Sequence, residues 1–227
     1  DSDKWKAVDW MEWQAKGIAP KILMPEKTVR PLTEDLIREY SDNGNATVAI
    51  FERIIDDLSE TYDVSRQAAK VRLVELGYSR AEGAYPFVNG RYVSGYNFDT
   101  DVLENGQTFT VPFADVIKAY CYDRDFRKLI DTDAVRYIDG HVCLNNDRYI
   151  SFGSDGNASL SQYALNHIDE CCIIFTRGYS YQSKYQGLKN YAFFMRNAAP
   201  QEDQIEFSFE MNKHNKTLLS QIQVGGQ

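Results

Sequence analysis

The chain has 227 residues, 43% hydrophobic and 26% charged, with a formal net charge of −8. That length and mix suit one large or two small folded domains with a sizeable core. They exclude a membrane-spanning helix, because no apolar run reaches the roughly 18 residues one needs. The acidic balance also argues against a protein that binds nucleic acid mainly through phosphates.

Residues 4–24 read as a helix, with Gly17 and Pro20 as weak points and Pro25 as its stop. Within it Val8, Ala15, Ala19 and Ile22 form an apolar stripe. Glu12 lies on that stripe, where a carboxylate is costly unless it is paired, hydrogen-bonded or bound to a metal. "EKTVRP" reads as a loop, and Thr33 as the cap of a short helix "EDLIREY". "SDNGN" is a turn cluster.

From Thr47, the residues Phe51, Ile54, Ile55 and Leu58 recur at the spacing of an amphipathic helix. "YDVS" is a short connection. Ser65 caps a second helix, "RQAAKVRLVELG", which Gly77 terminates. Two helices joined by a turn of about four residues match a helix-turn-helix.

The character changes near residues 78–84. Fifteen Tyr and twelve Phe in the chain point to sheet in the part that carries them. "YPFVNGRYVSGYNF" has Asn-Gly between aromatic runs, a hairpin signal. "QTFTVPF" reads as a strand and "ADVIKAYCYDRDFRKLI" as a helix. "AVRYIDGHVCLN" reads as two strands around Asp139-Gly140, and "RYISF" as another. "SLSQYALNHIDECC" reads as a helix running into the strand-like "CIIFTRGYSY". "NYAFFMRN" and "IEFSFEM" are short and ambiguous. The expected fold class is α+β. Residues 1–80 form a helical first part with a helix-turn-helix-like unit, and 81–227 a mixed α/β-sheet module.

There is no H-E-x-x-H, P-loop or G-x-S-x-G. The four cysteines, Cys121, Cys143, Cys171 and Cys172, make no regular disulfide framework. They read as reduced thiols of a cytoplasmic protein. His167 and Cys171 share a face if on a helix, and His141 and Cys143 share one on a strand. If the two elements pack together, the four form a tetrahedral structural zinc site. The competing reading is buried thiols beside one hydrogen-bonded histidine. A Cys-His nucleophile based on Cys143 or Cys171 is disfavoured, because Asp169 and Glu170 raise a thiol pKa. On the second helix of the helix-turn-helix-like unit, Arg66, Gln67 and Lys70 are the candidate DNA contacts. Six carboxylates surround that helix, from Glu52 to Glu75. The competing reading is a purely structural three-helix unit.

"EWQAKGIAPKILMP" resembles the glutamate-bearing helix of the ImmA/IrrE family of bacterial zinc metallopeptidases. Its form there is E-x-x-A-N-x-x-A-x-x-L-L-M-P. Glu12, Ala15, Ala19, Ile22, Leu23, Met24 and Pro25 match it, and Lys16 departs from the usual Asn. "VSRQAAKVRLVELGY" looks like the helix-turn-helix-like segment that follows in that family. "DGHVCLN" and "HIDECC" look like the later portion of a longer subgroup. The resemblance spans most of residues 5–176.

It implies a peptidase in which two histidines and a general-base Glu come from an H-E-x-x-H helix. The third zinc ligand comes from the next helix, and the metal-bound water attacks the peptide carbonyl. Glu12 matches that third ligand. The implied partner is a protein substrate or repressor of helix-turn-helix type. The chain opens "DSDKWKAVDW", with no start Met and no signal peptide, and ends "LLSQIQVGGQ" without a closing element. The expectation is a catalytically incomplete portion of a longer protein that binds zinc when intact. The alternative is a non-catalytic regulatory or protein-interaction module, DNA-associated through residues 47–77.

Overall fold

The computed structural model describes residues 20–42, 46–104, 106–154, 156–181 and 203–224. Glu12 and "NYAFFMRN" lie outside the described residues. Two compact units divide the chain. The first comprises residues up to Ala81 with Gly178–Glu206; the second comprises Glu82–Arg177 with the chain from Phe207 onward. The class is α+β, and the described N-terminal part is helical. Among the described residues, no helix is long and apolar enough to cross a membrane.

The first unit is built on three helices, α1 (Glu26–Ser41), α2 (Thr47–Thr61) and α3 (Arg66–Glu75). One continuous helix, α1, replaces the expected loop and short helix. Val29, Thr33 and Tyr40 are its buried positions and lie on one stripe. Pro31 sits inside and forfeits one backbone bond. Thr33 does not cap. Its hydroxyl donates to the Val29 carbonyl at 2.8 Å, one turn back. Burial of a full stripe outweighs one lost bond.

Helix α2 buries Ile50, Phe51, Ile54, Ile55 and Leu58, the stripe expected from the spacing. A four-residue connection, Tyr62–Ser65, leads to α3. The Ser65 hydroxyl accepts the Ala68 N–H at 3.1 Å, which satisfies one orphan donor of the first turn. Gly77, at φ +93°, ends the helix. Its N–H goes to the Val74 carbonyl and that of Tyr78 to the Leu73 carbonyl, each at 3.0 Å. Those two bonds are the Schellman closure, which needs a left-handed residue.

The second unit opens with a hairpin, β1 (Phe87–Val88) and β2 (Arg91–Tyr92). Its turn residues Asn89 and Gly90 both have positive φ, as a two-residue hairpin turn requires. Strand β3 (Gln107–Thr108) pairs with β8 (Phe175–Tyr181), and β8 with β9 (Asp203–Phe209). Only two residues of "QTFTVPF" are strand, and "IEFSFEM" contributes to β9. Strands β4 (Val135–Ile138) and β5 (His141–Leu144) form a second hairpin around Asp139-Gly140. Here glycine is obligatory, since a Cβ at Gly140 would lie 2.5 Å from Val88. Strands β6 (Ile150–Phe152) and β7 (Ala158–Leu160) pair with each other.

The single helix expected over residues 114–130 is two, α4 (Phe113–Tyr122) and α5 (Arg124–Asp131). Asp123 separates them in extended conformation, and its carboxylate accepts the Phe126 N–H at 2.7 Å. An Asp that caps competes with helix continuation. The segment "SLSQYALNHIDECC" departs further. Residues 158–160 are β7, Ser161 caps the short α6 (Gln162–Asn166), and a 3-10 turn spans Ile168–Glu170. The chain closes its described part with α7 (Lys213–Val224), which had no counterpart in the sequence reading.

The core of this unit joins distant residues. Phe126, Phe175 and Phe209 meet with ring centroids 5.1–6.3 Å apart. Glu82, almost fully buried, is gripped by both terminal nitrogens of Arg177 and accepts the Thr108 hydroxyl at 2.9 Å. A carboxylate so placed is tolerable only because it is paired and hydrogen-bonded.

Candidate metal centre

Strand β5 has β4 on one side. On its other side lies the segment Cys171–Ile174. Cys143 bridges Cys172 in antiparallel register. The flanking bonds run from Leu144 N–H to the Cys171 carbonyl, 2.8 Å, and from Ile173 N–H to the Val142 carbonyl, 2.9 Å. Cys143 and Cys172 are therefore a non-hydrogen-bonded pair, the arrangement that brings facing side chains closest.

Cys171 joins them for a local reason. In a regular strand its side chain would point opposite to that of Cys172. But Cys171 ends the 3-10 turn with ψ −16°, not an extended value. The kink turns its sulfur towards the pair, and the Cys171 and Cys172 Sγ atoms lie 3.7 Å apart. All three sulfurs lie within 4.8 Å of one another. All three residues are fully buried. The neighbours Val142, Ile173 and Ile174 are fully buried aliphatics.

Hydrogen bonds from Cys171 and then Cys172 pull the Cys143 thiol below its ordinary value, against the effect of burial. Cys171 and Cys172 are both pushed up, Cys171 mainly by its bond to Cys143 and Cys172 mainly by burial. The three thiols are coupled and hold their protons jointly.

Elements far along the chain fix this segment. The outward carbonyl of Cys172 is 3.0 Å from His214 Nε2, so that nitrogen donates to it. The Asn215 side chain accepts the Ile174 N–H and donates to the Ile174 carbonyl, both at 2.9 Å. Both residues come from α7. Its first turn thus closes the free edge that Cys172–Ile174 would otherwise leave.

The expected zinc set His141, Cys143, His167 and Cys171 is assembled only in its cysteines. Among the described residues, Cys143, Cys171 and Cys172 are the group close enough to share an ion. His141 is on the same strand as Cys143 and is buried. Its Nδ1 donates to the Asp139 carbonyl at 3.0 Å, and its ring stands edge-on to Tyr96. Burial pushes its pKa down to about 4. His167 is half exposed, stacks on Tyr163 and faces Glu170 at 3.6 Å. The helix ends before it, at φ −139°, so the expected i, i+4 face with Cys171 does not exist. Cys172 lies outside the expected set, which pairs residues that share a helix or strand face. Its signal was a Cys-Cys step where a helical run turns into "IIF".

The nucleophile reading finds no accessible thiol at Cys143 or Cys171. Of the candidate DNA contacts, Gln67 is exposed, Arg66 is paired with Asp56 at 2.5 Å, and Lys70 is buried. Compared with family models, curated proteins and solved structures, the chain matches none.

Proposed function

We propose that the chain is the regulatory portion of an ImmA/IrrE-like zinc metallopeptidase, which acts in the cytoplasm on a repressor of helix-turn-helix type. The observation that carries this reading is the junction after the glutamate-bearing segment. Met24, of the Leu-Met-Pro run, is fully buried. Arg72 of α3, itself buried, donates from Nε to the Met24 carbonyl at 2.9 Å. The end of the Glu12 segment and the three-helix unit are thereby one structural piece, as a ligand-bearing helix needs if its support is to hold geometry. A protein partner suits the charge of −8 better than duplex DNA does. Burial of Lys70 and the Arg66–Asp56 pair also weaken the DNA alternative.

In this reading Glu12 is the third zinc ligand and the two histidine ligands stand upstream of Asp1. The test is made on the natural full-length product. Zinc content and cleavage of a co-expressed repressor are measured for wild type and Glu12→Gln. The expected result is zinc-dependent cleavage that Glu12→Gln abolishes with loss of zinc. A reading frame without H-E-x-x-H before Asp1 overturns the proposal.

A further inference from the structure

Three sulfurs within 4.8 Å of one another in an aliphatic core need a reason beyond packing. A dry core site is filled as well by Val, Ala or Leu, with no polar hydrogens to place. The Cys171 thiol is 3.6 Å from the Ile168 carbonyl, 3.7 Å from that of His167 and 3.7 Å from the Cys172 sulfur. The backbone instead spends a register pairing and a kink on convergence.

We propose that Cys143, Cys171 and Cys172 form a buried all-sulfur site for one thiophilic metal ion. The geometry suits an ion without large rearrangement. Metal–sulfur bonds of about 2.3 Å place sulfurs about 4.0 Å apart in a trigonal site and about 3.8 Å apart in a tetrahedral one. The separations, 3.7 Å for one pair and no more than 4.8 Å for any, are compatible with both. Soft thiolate ligands select monovalent copper and zinc over hard cations. Monovalent copper fits best, because three donors complete its shell, whereas structural zinc takes a fourth.

Proton balance follows. Either ion held by three thiolates releases three protons to solvent. Copper(I) then leaves a net charge of −2 in the core and zinc −1, offset by the metal–sulfur bonds. The site lies in the second unit and is independent of Glu12, so this proposal and the peptidase reading fail separately.

The test uses the reduced 227-residue chain, titrated without oxygen with Cu⁺ against a chromophoric chelator, and with Zn²⁺ in a parallel arm. Cys121→Ser removes the exposed thiol and serves as the control. The expected result is one equivalent of ion bound by wild type and Cys121→Ser alike. Affinity falls at least a hundredfold in Cys143→Ser and Cys172→Ala, and rises with pH. The two arms identify the ion.

A readout on folded, unsubstituted cysteines guards against variants that fail to fold. Bound ion raises the melting temperature of Cys121→Ser and slows alkylation of its three remaining thiols. If neither ion binds Cys121→Ser at one equivalent, or if binding leaves thiol alkylation and melting unchanged, the proposal is overturned.

Discussion

The two units of this chain are held together by different kinds of information. In residues 20–81 the signals that start and stop the helices are local, with the buried Arg72–Met24 bond as a remote tie beside them. Ser65 caps three residues ahead, Gly77 closes the helix it follows, and the buried stripe of α2 repeats every three or four residues. In the second unit the signals are remote. Glu82 is paired with Arg177, Cys143 with Cys172, Ile174 with Asn215, and β3 with β8. Local signals are redundant and individually small; remote ones are single and buried. Removing one remote tie should therefore cost more than removing one local one.

The largest effect is expected at Glu82. Replacing it with Gln keeps the volume but leaves the mostly buried Arg177 guanidinium without its counter-charge. Breaking a buried pair from one side costs about 3–5 kcal/mol. Urea unfolding followed by circular dichroism gives the total, and amide exchange assigns it to residues 82–177. The double variant Glu82→Gln/Arg177→Met should recover part of the loss. If the single variant costs less than about 1 kcal/mol, the pair is not the tie described.

Asn215→Ala comes next. It strands the N–H and carbonyl of Ile174, both of which the Asn215 side chain satisfies in the interior. Buried groups left unpaired cost about 1–3 kcal/mol each, so a loss of about 2 kcal/mol or more is expected in the same assay. The loss should appear first as faster exchange at Ile174 and Cys172.

These two residues also show what the sequence could and could not convey. The α+β class, the two Asx-Gly hairpins and the amphipathic α2 were legible, because each is written in neighbouring residues. Residues 114–130 were misread because Asp123 is equally compatible with a helix interior and a cap until the fold decides. Nothing in "NKHNKTLL" announces that Asn215 will close a strand 41 positions earlier. The candidate site was half legible. Of His141, Cys143, His167 and Cys171, the two cysteines come together, but Cys172 lay outside that set, and its convergence with Cys171 depends on a single ψ value at Cys171. A non-repetitive kink leaves no periodic trace.

A pH titration breaks the comparison in another way. His141 is buried neutral, with its pKa pushed from 6.5 to about 4. Between those values the unfolded chain binds a proton that the folded one refuses. Stability is complete above about pH 6.5 and falls as pH drops towards 4. For a shift of that size the loss at pH 4.5 is about 2–3 kcal/mol. His214, also lowered by burial, adds in the same direction. His141→Leu should flatten the slope of the unfolding midpoint against pH over this range. An unchanged slope would exclude His141 as its source.

The smallest effect gives the sharpest comparison, because the same chemistry occurs in both units. Ser65 and Ser161 are N-caps with hydroxyls 3.1 Å from the N–H three residues on. Removing such a cap costs about 1 kcal/mol, and Ser65→Ala should lose that much and no more. Ser161 does one further thing. Its hydroxyl donates to the Arg148 carbonyl at 2.8 Å, thirteen residues back. Ser161→Ala should therefore lose the cap and a tertiary hydrogen bond, about 2 kcal/mol in all. The measurement is the difference between two serine-to-alanine variants in one chain, so unfolded-state effects of the substitution largely cancel. Equal losses would mean that the remote bond adds nothing to a local cap. A larger loss at Ser161 would assign the excess to the one contact the two serines do not share.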